Sequence, residues 1–330
     1  MKKRTVTLKF IFAALIYSAS LITAASSRKN FIFDFGGVLF FTNKLTSLRH
    51  IGLTDIALCS AQQGINPLYL NRHITKKLFD TLNQVGTLHQ LKAIHSAHQT
   101  YDEHGNTLPL LMCAWLQGNI SNDEIKTLIH QEINQHPEWF ECNAEKRIII
   151  KTIELIFTPE LLINSRKTSK AGIAFLKKCK NEGHKIYGLS NWDAESYVLL
   201  QQKYPELFEL FDGVVISGEV NANKPHENIY QALINRYDLE PKDCWFIDDQ
   251  KENVAAAQKL GINAIVHNST FHQLIKNIRL AYSRSVTRRE NFKNKGIIAS
   301  AIKKSKSAII EGENISLADS TKNNCLPANV

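Results

Sequence analysis

Between about residue 165 and residue 267 the chain alternates short apolar runs with amphipathic stretches, and this rhythm limits the fold more than any other feature. "SKAGIAFLKKCKNEG" carries apolar residues three and four apart and stops at Gly183, as a helix does; "KIYGLS" then reads as a strand. "AESYVLLQQKY", "HENIYQALINRY" and "KENVAAAQKLG" read as helices, and "DGVVIS", "CWFID" and "NAIVH" as the strands that separate and follow them. Short apolar strands alternating with helices predict an α/β fold, a Rossmann-like doubly wound parallel sheet covered on both faces. Residues 29–33 supply one more strand far upstream. Between the two parts, residues 45–164 are helical in pattern, and Ser121 with Glu124 forms a capping box in front of one helix. The expected architecture is a core of residues 26–44 and 165–282 with an all-helical domain inserted at 45–164.

The two ends of the chain differ from this core. "MKKRTVTLK" is a basic start, "FIFAALIYSASLITA" an apolar run too short for most membrane spans, and "TAASS" a site of small residues. Residues 1–25 are therefore expected to be a signal peptide and the protein to be exported, with an uncleaved anchor as the alternative. The net charge of +9 is concentrated: Lys276 to Lys306 holds ten Lys or Arg against the single acid Glu290. That excess equals the whole net charge, so the rest is balanced and no specific nucleic-acid partner is expected. Residues 283–330, rich in Ser, Lys and Asn, read as a basic, disordered tail. With no second long apolar run, no membrane association is expected after cleavage. The six cysteines contain no CxxC pair, which excludes a dense disulfide scaffold and gives no zinc signature. Export would permit one or two disulfides, whose pairing the sequence leaves open, as it does the oligomeric state.

In a doubly wound sheet, ligands bind beyond the carboxyl ends of the strands. Asp34 stands after the first strand, in "FDFGGVL". Ser190 and Asn191 follow "KIYGL", Lys224 precedes Pro225 in the loop after "DGVVIS", and Asp248 and Asp249 follow "CWFI", with Asn253 one helical turn later. Each alone has a plain structural explanation as a cap or a turn residue. Their emergence on one edge of one sheet points to chemistry. Three carboxylates repel one another unless a cation sits among them, and hard oxygen ligands suit Mg²⁺. A metal, a lysine and a serine hydroxyl together clamp a phosphoryl group, with Asp34 as a nucleophile in line with phosphorus. Gly36 and Gly37 let the backbone approach the metal and the ligand closely. Asn191 and Gly37 are the expected substrate-binding positions.

These motifs, "FIFDFGGVL", "GLSN", "KP" and "FIDDQKENVAAAQKLGI", stand in the order and spacing of the haloacid dehalogenase superfamily, which residues 30 to about 270 resemble. The resemblance is to its phosphatase-like branch with a helical cap, and among these to sugar-phosphate phosphatases such as glucose-1-phosphate phosphatase. It implies that Asp34 forms an aspartyl-phosphate, that Ser190 binds a phosphoryl oxygen and that Lys224 orients Asp34. It further implies Mg²⁺ held by Asp34, the Gly36 carbonyl and Asp249, with Asp248 in support, Asn253 bracing the loop, and residues 45–164 acting as a cap. One position departs from the pattern. Gly36 stands where phosphatases of this family carry a second Asp as general acid and base, a role typically worth about 10²–10⁴-fold.

The expected activity is therefore hydrolysis of a small phosphorylated metabolite, a sugar phosphate among the candidates. Two other readings stay open: a metal-free 2-haloacid dehalogenase, which the Asp248–Asp249 pair opposes, and an exported binding protein with little or no catalysis. Within the insertion, His73, His89, His95, His98, Trp115 and Trp139 are the residues that could select a substrate, with no motif to rank them.

Overall fold

Asn30–Phe33 (β1) is the middle strand of a five-stranded sheet whose order is β5-β4-β1-β6-β7, with β4 Lys185–Ser190, β5 Gly213–Ile216, β6 Cys244–Asp248 and β7 Asn263–Val266. All four pairings are parallel. The structure, a computed structural model, describes residues 28–102, 105–268, 270–276 and 278. The expected signal peptide falls outside the described residues, as does the expected tail.

Alternation along β1 shows why the sheet is covered twice. Ile32 points into a cluster with Tyr230, Leu233 and Ala257, from the helices Glu227–Tyr237 and Lys251–Lys259. Phe31 and Phe33, on the opposite face, meet Phe175 of the helix Lys170–Asn181 edge-on, at centroid distances of 6.3 and 6.0 Å. Successive side chains of a strand face opposite ways, so one apolar run serves both layers. Register then sets the site. Phe33 pairs with Gly188 on one side and Ile247 on the other, so the next residue, Asp34, is level with Asp248.

The helical insertion runs from Lys44–Ile51 to Pro159–Asn164 and has its own core, in which Leu82, Ile125, Ile149 and Phe157 are fully buried. Its first helix is capped by Asn43, and the capping box of Ser121 and Glu124 is present. The chain enters and leaves through a ribbon that the sequence pattern did not suggest. Phe40–Thr42 (β2) pairs antiparallel with Arg166–Thr168 (β3), Phe40 opposite Thr168 and Thr42 opposite Arg166. Cys59, Cys113, Cys142, Cys179 and Cys244 are free thiols. No helix among the described residues is long and apolar enough to cross a membrane.

Candidate active site

Asp34 continues β1 into the turn at Gly36 and Gly37, and is 5% exposed. A carboxylate so placed needs partners, and the neighbouring strand ends provide them. Ser190, the last residue of β4, donates its hydroxyl to Asp34 Oδ1 at 2.8 Å, and Lys224 Nζ reaches the same oxygen at 2.8 Å. Lys224 is 1% exposed, yet its ammonium is fully used: its other two donors go to Asp248 Oδ2 at 2.7 Å and the Leu189 carbonyl at 3.0 Å. Burial alone would lower the Lys224 pKa, but the Asp248 and Asp34 carboxylates outweigh it and hold the ammonium above its ordinary range.

Asp248 has no exposure and accepts at both oxygens, from Lys224, from the Gln250 backbone N–H at 2.8 Å, and from Asn253 Nδ2 at 3.0 and 3.1 Å. It anchors Lys224 and Asn253, with four protein contacts on its carboxylate, a supporting position like the one the resemblance implies. Asn253 braces the loop as expected.

Asp249 is the contrasting case. Its Oδ1 is buried with no hydrogen-bond partner among the described residues. Burial, then the charges of Asp34 and Asp248, push its pKa up to about 7, and burial lifts Asp34 to about 6 against the pull of Lys224. Oxygens of Asp34, Asp248 and Asp249 all lie within 4.8 Å of one another. A buried, unpartnered carboxylate oxygen beside a second carboxylate is what a divalent cation would relieve, and the all-oxygen donor set fits Mg²⁺. Gly37 makes room for this arrangement. It has φ of +67°, and a Cβ there would overlap the Asp249 carboxylate. Its N–H donates to the Phe40 carbonyl at 3.0 Å, so that group braces the turn instead of binding a substrate.

Asn191 also differs from its expected role. Its amide donates to Thr100 Oγ1 at 2.9 Å and to the Lys224 carbonyl at 3.0 Å, and accepts from the Lys224 N–H at 2.7 Å. With both side-chain donors engaged, Asn191 positions the Lys224 backbone and joins it to the insertion. Thr100 carried no sequence signal, because its partner comes from a distant strand end. Asn223, passed over in the loop "NANKP", donates to the Cys113 carbonyl at 2.7 Å and the His98 carbonyl at 3.2 Å.

These groups line a cavity of about 380 Å³, with Asp34, Gly36, Gly37, Ser190, Asn191, Lys224 and Asp249 on its walls. Of the six residues considered as substrate selectors, Trp115 lines it. His73 pairs with Glu145 at 2.6 Å and His89 with Glu132 at 2.9 Å, inside the insertion. Trp139 stacks on His136, His98 stacks on His226, and His95 lines a separate cavity.

Comparison with known proteins identifies the family. A sesquiterpene phosphatase of Aspergillus oryzae is 30% identical over 89 residues, which are 27% of this chain and 45% of that one, so the chain spans under half the length of this relative. The (S)-2-haloacid dehalogenase 4A of Burkholderia cepacia is 25% identical over 181 residues, 52% of this chain and 76% of that one. A solved HAD family enzyme of Bacteroides thetaiotaomicron superposes with a TM-score of 0.47 at 16% identity, covering 75% of this chain and 98% of that one. The family model described as haloacid dehalogenase-like hydrolase matches residues 29–261, from the first strand to the glycine that ends the last helix of the core. The chain is a hydrolase of the haloacid dehalogenase-like family.

Proposed function

We propose that this hydrolase is a phosphomonoesterase that acts through Asp34. The observation that carries the reading is the pairing of a clamped carboxylate with one that keeps an unpartnered oxygen: Asp34 held by Ser190 and Lys224, and Asp249 with its buried, orphaned Oδ1 beside it. Asp34 attacks phosphorus, the ester P–O bond breaks, and an acyl phosphate forms on the carboxylate. The departing oxygen takes a proton from water, since Gly36 offers no side-chain acid. A water molecule then attacks the phosphorus, releasing inorganic phosphate and restoring the Asp34 carboxylate. Lys224 keeps Asp34 oriented and places a positive charge beside the phosphoryl oxygens, and the Ser190 hydroxyl can turn its donor from Asp34 to one of them. Asp34, Asp249 and the Gly36 carbonyl would hold Mg²⁺, which when bound supplies further positive charge at the phosphoryl group.

One observation favours a second reading. Arg166 lines the same cavity and could hold the carboxylate of a 2-haloacid. The orphaned Asp249 oxygen argues against it, because an anionic substrate without a metal would meet an uncompensated carboxylate. The two separate by assay: phosphate release from p-nitrophenyl phosphate that requires Mg²⁺ and stops in EDTA supports the phosphatase. Halide release from 2-chloropropionate, unaffected by EDTA, supports the other. From the sequence pattern alone, we also propose export with cleavage near Ser26, which N-terminal sequencing of the mature protein tests, and a capping role for the helical insertion.

A further inference from the structure

The cavity before Asp34 is lined by two unlike sets of residues. Besides the polar strand ends its lining holds a set of apolar side chains: Phe41 from β2, Met112, Trp115 and Leu116 from the helix Leu110–Leu116, and Ile156 and Leu162 from the last two helices of the insertion. Several polar atoms of the lining are already engaged. Trp115 donates its indole N–H to Asn122 Oδ1 at 2.9 Å and Trp192 its own to Ser196 Oγ at 3.1 Å, so both present hydrocarbon. Thr100 Oγ1 accepts from Asn191, and Arg166 Nη1 donates to Thr42 Oγ1 at 2.6 Å with its guanidinium 5.8 Å from the Trp192 ring centre. A sugar bears a hydroxyl on nearly every carbon, and each needs a partner when it leaves water. Apart from the Arg166 guanidinium, the Gln250 side chain and the Tyr101 hydroxyl, the lining offers a sugar's hydroxyls few partners.

We propose that the substrate is a phosphate monoester of an apolar alcohol or phenol, whose hydrocarbon part lies against these apolar side chains, in place of the sugar phosphate expected from the sequence. The inference rests on the phosphomonoesterase reading and deepens it. A volume of about 380 Å³ is at the lower end of the range for ligand sites and suits a group of moderate size.

The test is kcat/KM, by phosphate release with Mg²⁺, for 4-alkylphenyl phosphates from methyl to octyl, kept below micellar concentrations. Their phenols share nearly one acidity, so chain length changes binding and not leaving-group quality. The expected result is a rise of about fourfold per added methylene until the apolar side chains are covered, with glucose 1-phosphate and glucose 6-phosphate at least about a hundredfold below the best aryl ester. Leu116→Gln and Ile156→Gln, both at half-buried positions, should flatten the series, while thermal melting shows that each still folds. A flat series in the wild type, or a preference for either sugar phosphate, overturns the inference and leaves the phosphatase reading standing. No phosphate release from any ester, nor from acetyl phosphate, removes both.

Discussion

The Asp249 carboxylate lies against the α-carbon of Gly37, in the space that any other residue would fill with its own Cβ. The turn after β1 and the end of β6 are therefore fitted to each other, and the cation site proposed between them depends on a missing side chain. Gly37→Ala should displace Asp249 and strain a backbone held at φ of +67°, with a cost of about 1–3 kcal/mol. Activation by Mg²⁺ should be lost along with the rise in melting temperature that Mg²⁺ gives the wild type. Thermal melts and phosphate release, each with Mg²⁺ and with EDTA, check this.

Removing the orphaned charge should act in the opposite direction on the metal-free protein. Asp249→Asn keeps the shape and removes one of the mutually repelling carboxylates, so in EDTA at pH 8 its melting temperature should equal or exceed that of the wild type. In Mg²⁺ the order should reverse. A variant less stable than the wild type in EDTA would show that Asp249 is stabilising on its own and needs no cation.

Lys224 is a different kind of residue, buried with every donor used. Lys224→Met leaves Asp34 and Asp248 without their common counter-charge, and breaking such a buried group costs about 3–5 kcal/mol. Denaturant unfolding should record a loss of that size, together with loss of turnover. A loss below about 1 kcal/mol would mean that the ammonium is not needed to hold the two carboxylates.

At Gly36 the structure has room. A Cβ there meets nothing within 4 Å, and its φ is not in the left-handed region. Gly36→Asp should therefore fold as the wild type does and put a carboxyl where the family's phosphatases carry their acid and base. Turnover of alkyl phosphates, whose leaving oxygen needs a proton, should rise by at least tenfold, and that of p-nitrophenyl phosphate much less. Steady-state kinetics on the two substrates test the difference.

The stacked pair His98 and His226, ring centroids 3.7 Å apart, contributes a pH dependence to stability. Burial, then the neighbouring His226, lowers the His98 pKa from its ordinary value of 6.5. A histidine whose folded pKa is depressed binds fewer protons folded than unfolded, so its contribution is complete above pH 6.5 and declines as the pH falls below it. His98→Gln should lose less stability between pH 7 and pH 5 than the wild type does, as paired denaturant melts at the two pH values would show.

Much of this was legible in the sequence, for identifiable reasons. The strands of the core were visible because glycines such as Gly183 and Gly261 end the preceding helices and leave short apolar runs isolated. The convergence of Asp34, Ser190, Lys224 and Asp248 followed from one rule about parallel sheets. What escaped depends on tertiary pairing. The β2–β3 ribbon joins two three-residue segments from opposite ends of the insertion, too short to show a period. The engagement of the Asn191 amide by Thr100 and Lys224 cannot be inferred from either neighbourhood alone. Trp115 and His73 are equally plausible selectors by residue type, and the packing of the insertion decides that one lines the cavity while the other binds Glu145.

The central claim is that Asp34 takes the phosphoryl group onto its own carboxylate. Wild type and Asp34→Asn, mixed with p-nitrophenyl phosphate and Mg²⁺ and quenched in acid within milliseconds, should differ in intact mass by one phosphoryl adduct, found on the wild type and mapped by peptide analysis to the segment containing Asp34. An adduct on both proteins, or a wild type that turns over while none is trapped and Asp34→Asn retains more than about a tenth of its rate, would contradict it.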